Sequence, residues 1–192
     1  MAQLLVFAGS TRQKSFNRKL ARVAADLART AGASVTLLEL SDFDIPMYNA
    51  DLETQATPPD VLRLKEILDA HPAWIICSPE YNGSYTGLLK NTIDWASSPV
   101  KGHSVWADGN KPFGGKVVGL LSASPGGLGG LRSLSHLNPL LLLLQCWVCP
   151  QQFALGRAGD AFDAQGQLKD AAHQHSVAAV VDQALWAAKR LA

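Results

Sequence analysis

The strongest constraint on the fold is a handover that this chain makes five times: a short apolar run, a polar connection, then a stretch with apolar residues every three or four positions. The runs are Leu4–Ala8, Ser34–Leu40, Ala73–Cys77, Gly115–Ala123 and Trp147–Leu155. Runs of this kind, too short for helices, read as buried strands. The stretches between them carry helical stripes: Leu20, Val23, Ala24, Leu27 and Ala31, ending near Gly32; then Val61, Leu64, Ile67 and Leu68; then Leu89, Ile93 and Ala96. Leu131, Leu134, Leu137 and the Leu140–Leu144 run mark a fourth helix, in which Pro139 is expected to introduce a kink. Val177, Val181, Ala184, Ala188 and Leu191 stripe the last. Strands alternating with helices, without repeat or low-complexity linker, predict a single α/β domain over residues 1–192, with one parallel sheet covered on both faces.

Ligands on such sheets sit beyond the carboxyl ends of the strands, near the point where strand order reverses. In the order 2-1-3-4-5 the turns after strands one, three and four are neighbours, and these three turns have unusual compositions. The first, GSTRQKSFNRKL from Gly9 to Leu20, joins a strand to a helix N-terminus, where free N–H groups and the positive end of the helix dipole favour an anion. Ser10, Thr11, Ser15 and Asn17 add short side-chain donors, and Arg12 adds a guanidinium able to grip phosphate oxygens in pairs. The turn lacks the G-x-x-x-x-G-K-S/T spacing of a nucleoside triphosphate loop and the three glycines of a dinucleotide fingerprint. It reads as a cradle for a terminal monophosphate. The alternative is a surface turn in which Ser15 caps the helix and Arg12 is solvated.

The second turn, SPEYNGSYTG, places Glu80, Tyr81 and Asn82 past the third strand. Pro79 forces the chain to leave the sheet, and Asn82-Gly83 is a pair that accepts positive φ. The third, SASPGGLGGLRS, is rich enough in glycine for a flat ligand to approach its backbone. A monophosphate cradle at one end and a broad slot lined by PEYN and SASPGG at the other suit flavin mononucleotide.

GSTRQKSFN, PEYNGSYTGLLKNTIDW and SASPGGLGGLR, together with DIPMYNAD in the long polar connection from Ser41 to Pro59, resemble in order the motifs of the NADPH-dependent FMN reductase family, which includes bacterial chromate, quinone and azo-dye reductases. The resemblance implies a flavodoxin-like three-layer sandwich with a five-stranded parallel sheet ordered 2-1-3-4-5. It also implies FMN as bound cofactor, with NADPH or NADH as co-substrate. Ser10, Arg12, Ser15, Phe16 and Asn17 match the phosphate turn. Pro79, Glu80, Tyr81, Asn82 and Gly83 match the segment along the ring and ribityl groups, and Ser124 with Gly126 match the third contact. Arg132 matches a position near the subunit interface of a homodimer or homotetramer. The implied reaction passes hydride from a nicotinamide to the flavin N5 and on to a quinone, metal oxyanion, azo dye or free flavin. No side chain takes a catalytic role in it, Glu80 included. The leucine run around Pro139 and the long SPVKGHSVWADGNKPF loop depart from the usual pattern, so subunit contacts and acceptor access are where this chain is expected to differ.

Charge narrows the alternatives. With 17 Lys+Arg against 16 Asp+Glu, the chain has neither the basic excess of a nucleic-acid or anionic-membrane binder nor the acidity of an electron carrier steered toward basic partners. The other reading, a flavodoxin-like carrier or non-catalytic flavin-binding protein, is the weaker for it. No apolar run is long enough to span a bilayer, no basic leader precedes the first strand, and three cysteines suit a reducing cytoplasm. Cys146-Trp147-Val148-Cys149 has C-x-x-C spacing but precedes a strand instead of opening a helix, so buried packing is expected over thiol or metal chemistry. His173 and His175, two apart on a helix, do not share a face, and no metal site is expected. The five scattered tryptophans read as core or interface packing.

Overall fold

The computed structural model of the chain describes residues 2–191. Five parallel strands, β1 (Gln3–Ala8), β2 (Ser34–Leu38), β3 (Ala73–Cys77), β4 (Val117–Ala123) and β5 (Trp147–Leu155), form one sheet in the order β2-β1-β3-β4-β5. Helices α1 (Phe16–Thr30) and α7 (Ala171–Leu191) cover one face; α3 (Pro59–Ala70), α4 (Gly87–Ala96) and α5 (Leu131–Leu143) cover the other. This is the expected flavodoxin-like, three-layer arrangement.

The division into two cores follows from the two-residue period of a strand. Leu4, Val6 and Ala8 of β1 join Ile75 of β3 and Leu121 of β4 against α1 and α7. The alternate positions, Leu5 and Phe7, join Trp74, Ile76 and Leu120 against α3, α4 and α5. Because both faces are covered, β3 and β4 are buried along their whole length, which is why their sequences are continuously apolar. Each large aliphatic side chain so buried contributes about 1.5–3 kcal/mol. Close approach of α7 to the sheet depends on Gly119, where a Cβ would lie 2.6 Å from Ile75 Cδ1 and 3.0 Å from Val180 Cγ1.

The differences from expectation lie in the polar stretches. The connection after β2 contains a 3-10 turn (Leu40–Asp42) and a short helix, α2 (Ala50–Gln55), none of whose residues is buried, so no apolar period marks it. The loop after β5 holds α6 (Ala158–Ala161) and a bridge between Phe162 and Leu168. Helix α5 runs through Pro139 to Leu143. Pro139 removes the donor to the Ser135 carbonyl, but both residues are exposed, so that carbonyl is open to solvent. Among the described residues no helix is long and apolar enough to cross a membrane.

Candidate active site at the ends of β1, β3 and β4

At the end of β1, Gly9 continues the ladder by donating its N–H to the Cys77 carbonyl at 3.0 Å. Its own carbonyl accepts from Thr86 Oγ1 at 2.7 Å. A Cβ on Gly9 would lie 3.1 Å from Leu89 Cβ, so glycine lets the N-terminus of α4 close against the turn. Ser15 caps α1, its hydroxyl accepting from Arg18 N–H at 3.4 Å. The preceding helical N–H groups, of Phe16 and Asn17, take no partner among the described residues. Two directed donors at the positive end of a fifteen-residue helix are therefore free for an anion. Arg12 forms no ion pair among the described residues, and its guanidinium lies 5.7 Å from the Phe16 ring centre. On the outer side of the turn, Arg18 pairs with Glu39 at 2.9 Å and reaches the Thr11 carbonyl at 3.3 Å.

Beyond β3 the chain forms a tight turn in which Tyr81 and Ser84 exchange backbone hydrogen bonds at 2.9 and 3.1 Å. Asn82 (φ 51°) and Gly83 (φ 82°) both adopt the left-handed region, as a two-residue hairpin turn requires. Glu80 is fixed from α5: its carboxylate accepts from Arg132 Nε at 2.7 Å and from Arg132 N–H at 3.1 Å. Arg132 Nη2 is 2.5 Å from the same carboxylate, whose side chain is only 9% exposed. A carboxylate held this way is a clamp on the second turn rather than a proton carrier. Arg132 thus has a partner within its own chain.

The turn after β4 is tied to the first. Asn17, almost fully buried, donates Nδ2 to the Ala123 carbonyl at 2.8 Å and accepts from Ala123 N–H at 2.9 Å. Its side chain thus joins α1 to the last residue of β4. The glycines of this turn divide into two groups. Gly129 and Gly130 serve internal packing, since a Cβ would lie 2.6 Å from the Ala154 carbonyl at the first and 2.0 Å from Ser122 Oγ at the second. A Cβ on Gly127 would meet nothing within 4 Å and one on Gly126 would lie 3.7 Å from Ser124 Oγ, which accepts from Gly126 N–H at 3.3 Å.

The three turns enclose one hollow of about 310 Å³. Ser10, Arg12, Ser15, Phe16 and Asn17 line it from the first, Pro79, Glu80 and Tyr81 from the second, and Ser124 from the third. Asn82, Gly83 and Gly126, expected at the site from the sequence, are not among the residues that line it. Ala123 and Pro125 also line it and carry no sequence signal. Phe162, stacked parallel to Phe16 with ring centres 6.3 Å apart, comes from a part of the chain the motifs did not flag.

The other candidate chemistries find no support in the geometry. Burial pushes the Cys146 thiol up to about 12 and Cys149 up to about 11, and raises Cys77 as well, so these groups are inert protonated packing at neutral pH. Among the described residues no three His, Cys, Asp or Glu side chains cluster as metal ligands.

Comparison with known proteins identifies the family. The model of the family described as NADPH-dependent FMN reductase matches residues 2–160. An NAD(P)H-dependent FMN reductase of Pseudomonas aeruginosa is 37% identical over 169 residues, covering 88% of this chain and 85% of that protein. An NAD(P)H:quinone oxidoreductase of Solanum tuberosum is 36% identical over 180 residues, covering 90% and 86%. The solved structure of FerB, a flavoenzyme NAD(P)H:(acceptor) oxidoreductase of Paracoccus denitrificans, superimposes with a TM-score of 0.84 at 30% identity, covering 99% of this chain and 98% of that one.

Proposed function

Since this chain belongs to the NADPH-dependent FMN reductase family, an oxidoreductase family that uses FMN and NAD(P)H, we propose that the hollow between its three turns is the FMN site and that it reduces a quinone. The observation that carries the placement is the convergence of the three turns on one hollow, with Arg12 and the unpartnered Phe16 and Asn17 N–H groups at the β1 end. These donors, with the Ser10 and Ser15 hydroxyls, suit a phosphate dianion. Pro79, Glu80, Tyr81 and Ser124 would flank the ribityl chain and ring, with Asn82 and Gly83 shaping the turn and Gly126 leaving room for close approach. When bound, FMN supplies the redox chemistry, taking a hydride equivalent from NAD(P)H and delivering electrons to the acceptor.

The protein's own part is to position and shield. The Glu80–Arg132 pair holds the second turn at a set distance from α5, and the Asn17–Ala123 hydrogen bonds hold the first turn against the third. Both keep the walls of the site in place without moving protons.

Quinone is the favoured acceptor because relatives from Pseudomonas putida and Solanum tuberosum bear that activity in their names. Metal oxyanions, azo dyes and free flavin are further acceptors within the same proposal. We further propose a single domain over residues 1–192 that works in the cytoplasm as a homodimer or homotetramer. Leu128, Leu131, Leu142 and Leu143, exposed on and before α5, are apolar surface that a second copy would cover. An absorbance spectrum of the purified protein and an assay of NADPH oxidation with a quinone test the function; a colourless protein or an absence of turnover refutes it. Arg12→Ala is expected to raise the FMN dissociation constant at least tenfold, from the loss of charged hydrogen bonds each contributing about 1.5–3 kcal/mol. Unchanged flavin retention would remove the phosphate from this turn.

A further inference from the structure

The loop after β5 closes into a small hairpin, FDAQGQL, over residues 162–168. Phe162 and Leu168 pair across it, and Asp163 donates its N–H to the Gln167 carbonyl at 2.9 Å. The Asp163 carboxylate fills the turn by accepting from Gln165 N–H at 2.9 Å and Gln167 N–H at 2.8 Å, and Gly166 supplies the left-handed residue at φ 82°. The side chains of Phe162 and Leu168 are both buried in the core shared with α1 and α7, which fixes the hairpin to the helical layer.

The hairpin brings an aromatic ring to α1. Phe16 and Lys19, three apart and so on one face of that helix, both meet it: the Phe162 ring lies parallel to Phe16 within 4°, with centres 6.3 Å apart, and Lys19 Nζ is 5.5 Å from its centre. Phe16 in turn carries Arg12, whose guanidinium lies 5.7 Å from the Phe16 ring centre and takes no hydrogen bond or ion pair among the described residues. Aromatic contact is therefore what locates this exposed cation beside the hollow, which it lines together with Phe16. A flexible arginine loses rotamer freedom when it grips an anion, and one already held in place loses less. Phe162 does not line the hollow, yet it backs the ring against which Arg12 rests.

We propose that Phe162 is a positioning residue for the phosphate end of FMN: it braces the Phe16 ring, which keeps the Arg12 guanidinium at the β1 end of the hollow. The role rests on the FMN reading of that hollow. Phe162 lies outside residues 2–160, which the family model matches, and so outside the three motifs that define the site.

The test is a double-mutant cycle on the FMN dissociation constant, followed by flavin fluorescence as the full chain, freed of flavin, is titrated. It compares wild type, Phe162→Leu, Arg12→Ala and the double variant. Phe162→Leu is expected to weaken FMN about three- to tenfold when Arg12 is present and less than about twofold once it is gone. Riboflavin, which lacks the phosphate, is expected to weaken by less than about twofold on Phe162→Leu. Phe162→Met also removes the ring while keeping an apolar side chain; it should repeat the pattern, and it carries the test if the leucine variant does not fold. An equal loss with and without Arg12, or for riboflavin as for FMN, overturns the proposal and reduces Phe162 to core packing. Unchanged FMN affinity in the variants that lack the ring overturns it too. Failure of the wild type to bind FMN overturns the flavin reading as well, whereas tight FMN binding without coupling to Arg12 overturns the positioning role alone.

Discussion

Asn17 separates two views of the first turn, one in which its amide serves a bound phosphate and one in which it ties the protein together. Its carbonyl oxygen and amide nitrogen are engaged with both backbone groups of Ala123, a residue 106 positions away that is 4% exposed. Asn17→Ala would leave one buried N–H and one buried C=O unsatisfied at the end of a central strand. At about 1–3 kcal/mol for each such group, the cost is about 2–6 kcal/mol. For a chain of this size, about 2–4 °C is lost per kcal/mol, which gives a fall in melting temperature of about 4–24 °C. The assay is thermal unfolding followed by circular dichroism on flavin-free and flavin-loaded protein, with Arg12→Ala alongside. Arg12→Ala should leave the flavin-free melting temperature within about 2 °C of wild type, as surface substitutions do, while weakening FMN. Asn17→Ala should melt early with or without flavin. A flavin-free Asn17→Ala protein as stable as wild type would refute the reasoning and return the amide to the phosphate.

Further outcomes follow from buried groups elsewhere. Lys65 has no exposed surface, and its ammonium donates to the Ala96 and Ser98 carbonyls at 2.7 and 2.6 Å; burial lowers its pKa to about 8. Between about pH 8 and the lysine value of the unfolded chain, 10.5, the unfolded state binds the extra proton. The stability of the wild type relative to Lys65→Met should therefore rise with pH across that window in urea titrations, and a flat difference would contradict it. Gly130→Ala, which puts a Cβ 2.0 Å from Ser122 Oγ at φ 90°, should cost at least about 2 kcal/mol, whereas Gly127→Ala, with nothing within 4 Å, should leave melting nearly unchanged. Cys77, Cys146 and Cys149 are buried, so thiol titration at pH 8 should proceed only as fast as the protein unfolds; rapid labelling of the native protein would contradict their protonated, enclosed state.

Much of this molecule is written in local patterns. Strand and helix periods placed all five strands and five of the helices, and the order of the turns along the chain anticipated that those after β1, β3 and β4 meet around one hollow. Asn82-Gly83 announced its left-handed turn, and Ser15 its cap. These are properties of neighbouring residues, so they survive in the sequence without the fold. Helix α2 escaped because it buries nothing and so leaves no apolar period.

What packing alone decided is which partner each polar side chain takes. Asn17 looked like a ligand donor and is a cross-link to β4; Glu80 and Arg132, 52 positions apart, form a clamp. Gly129 and Gly130 matched a ligand-facing loop and instead admit the protein's own β4 and β5 atoms. Phe162 belongs to no motif, yet it stacks on Phe16 because the hairpin after β5 folds back on α1. Amino-acid type and spacing set the menu of hydrogen bonds and charges near each residue. Contacts between segments a hundred residues apart exist only once the sheet has closed between its helices, and only there is the choice from that menu made.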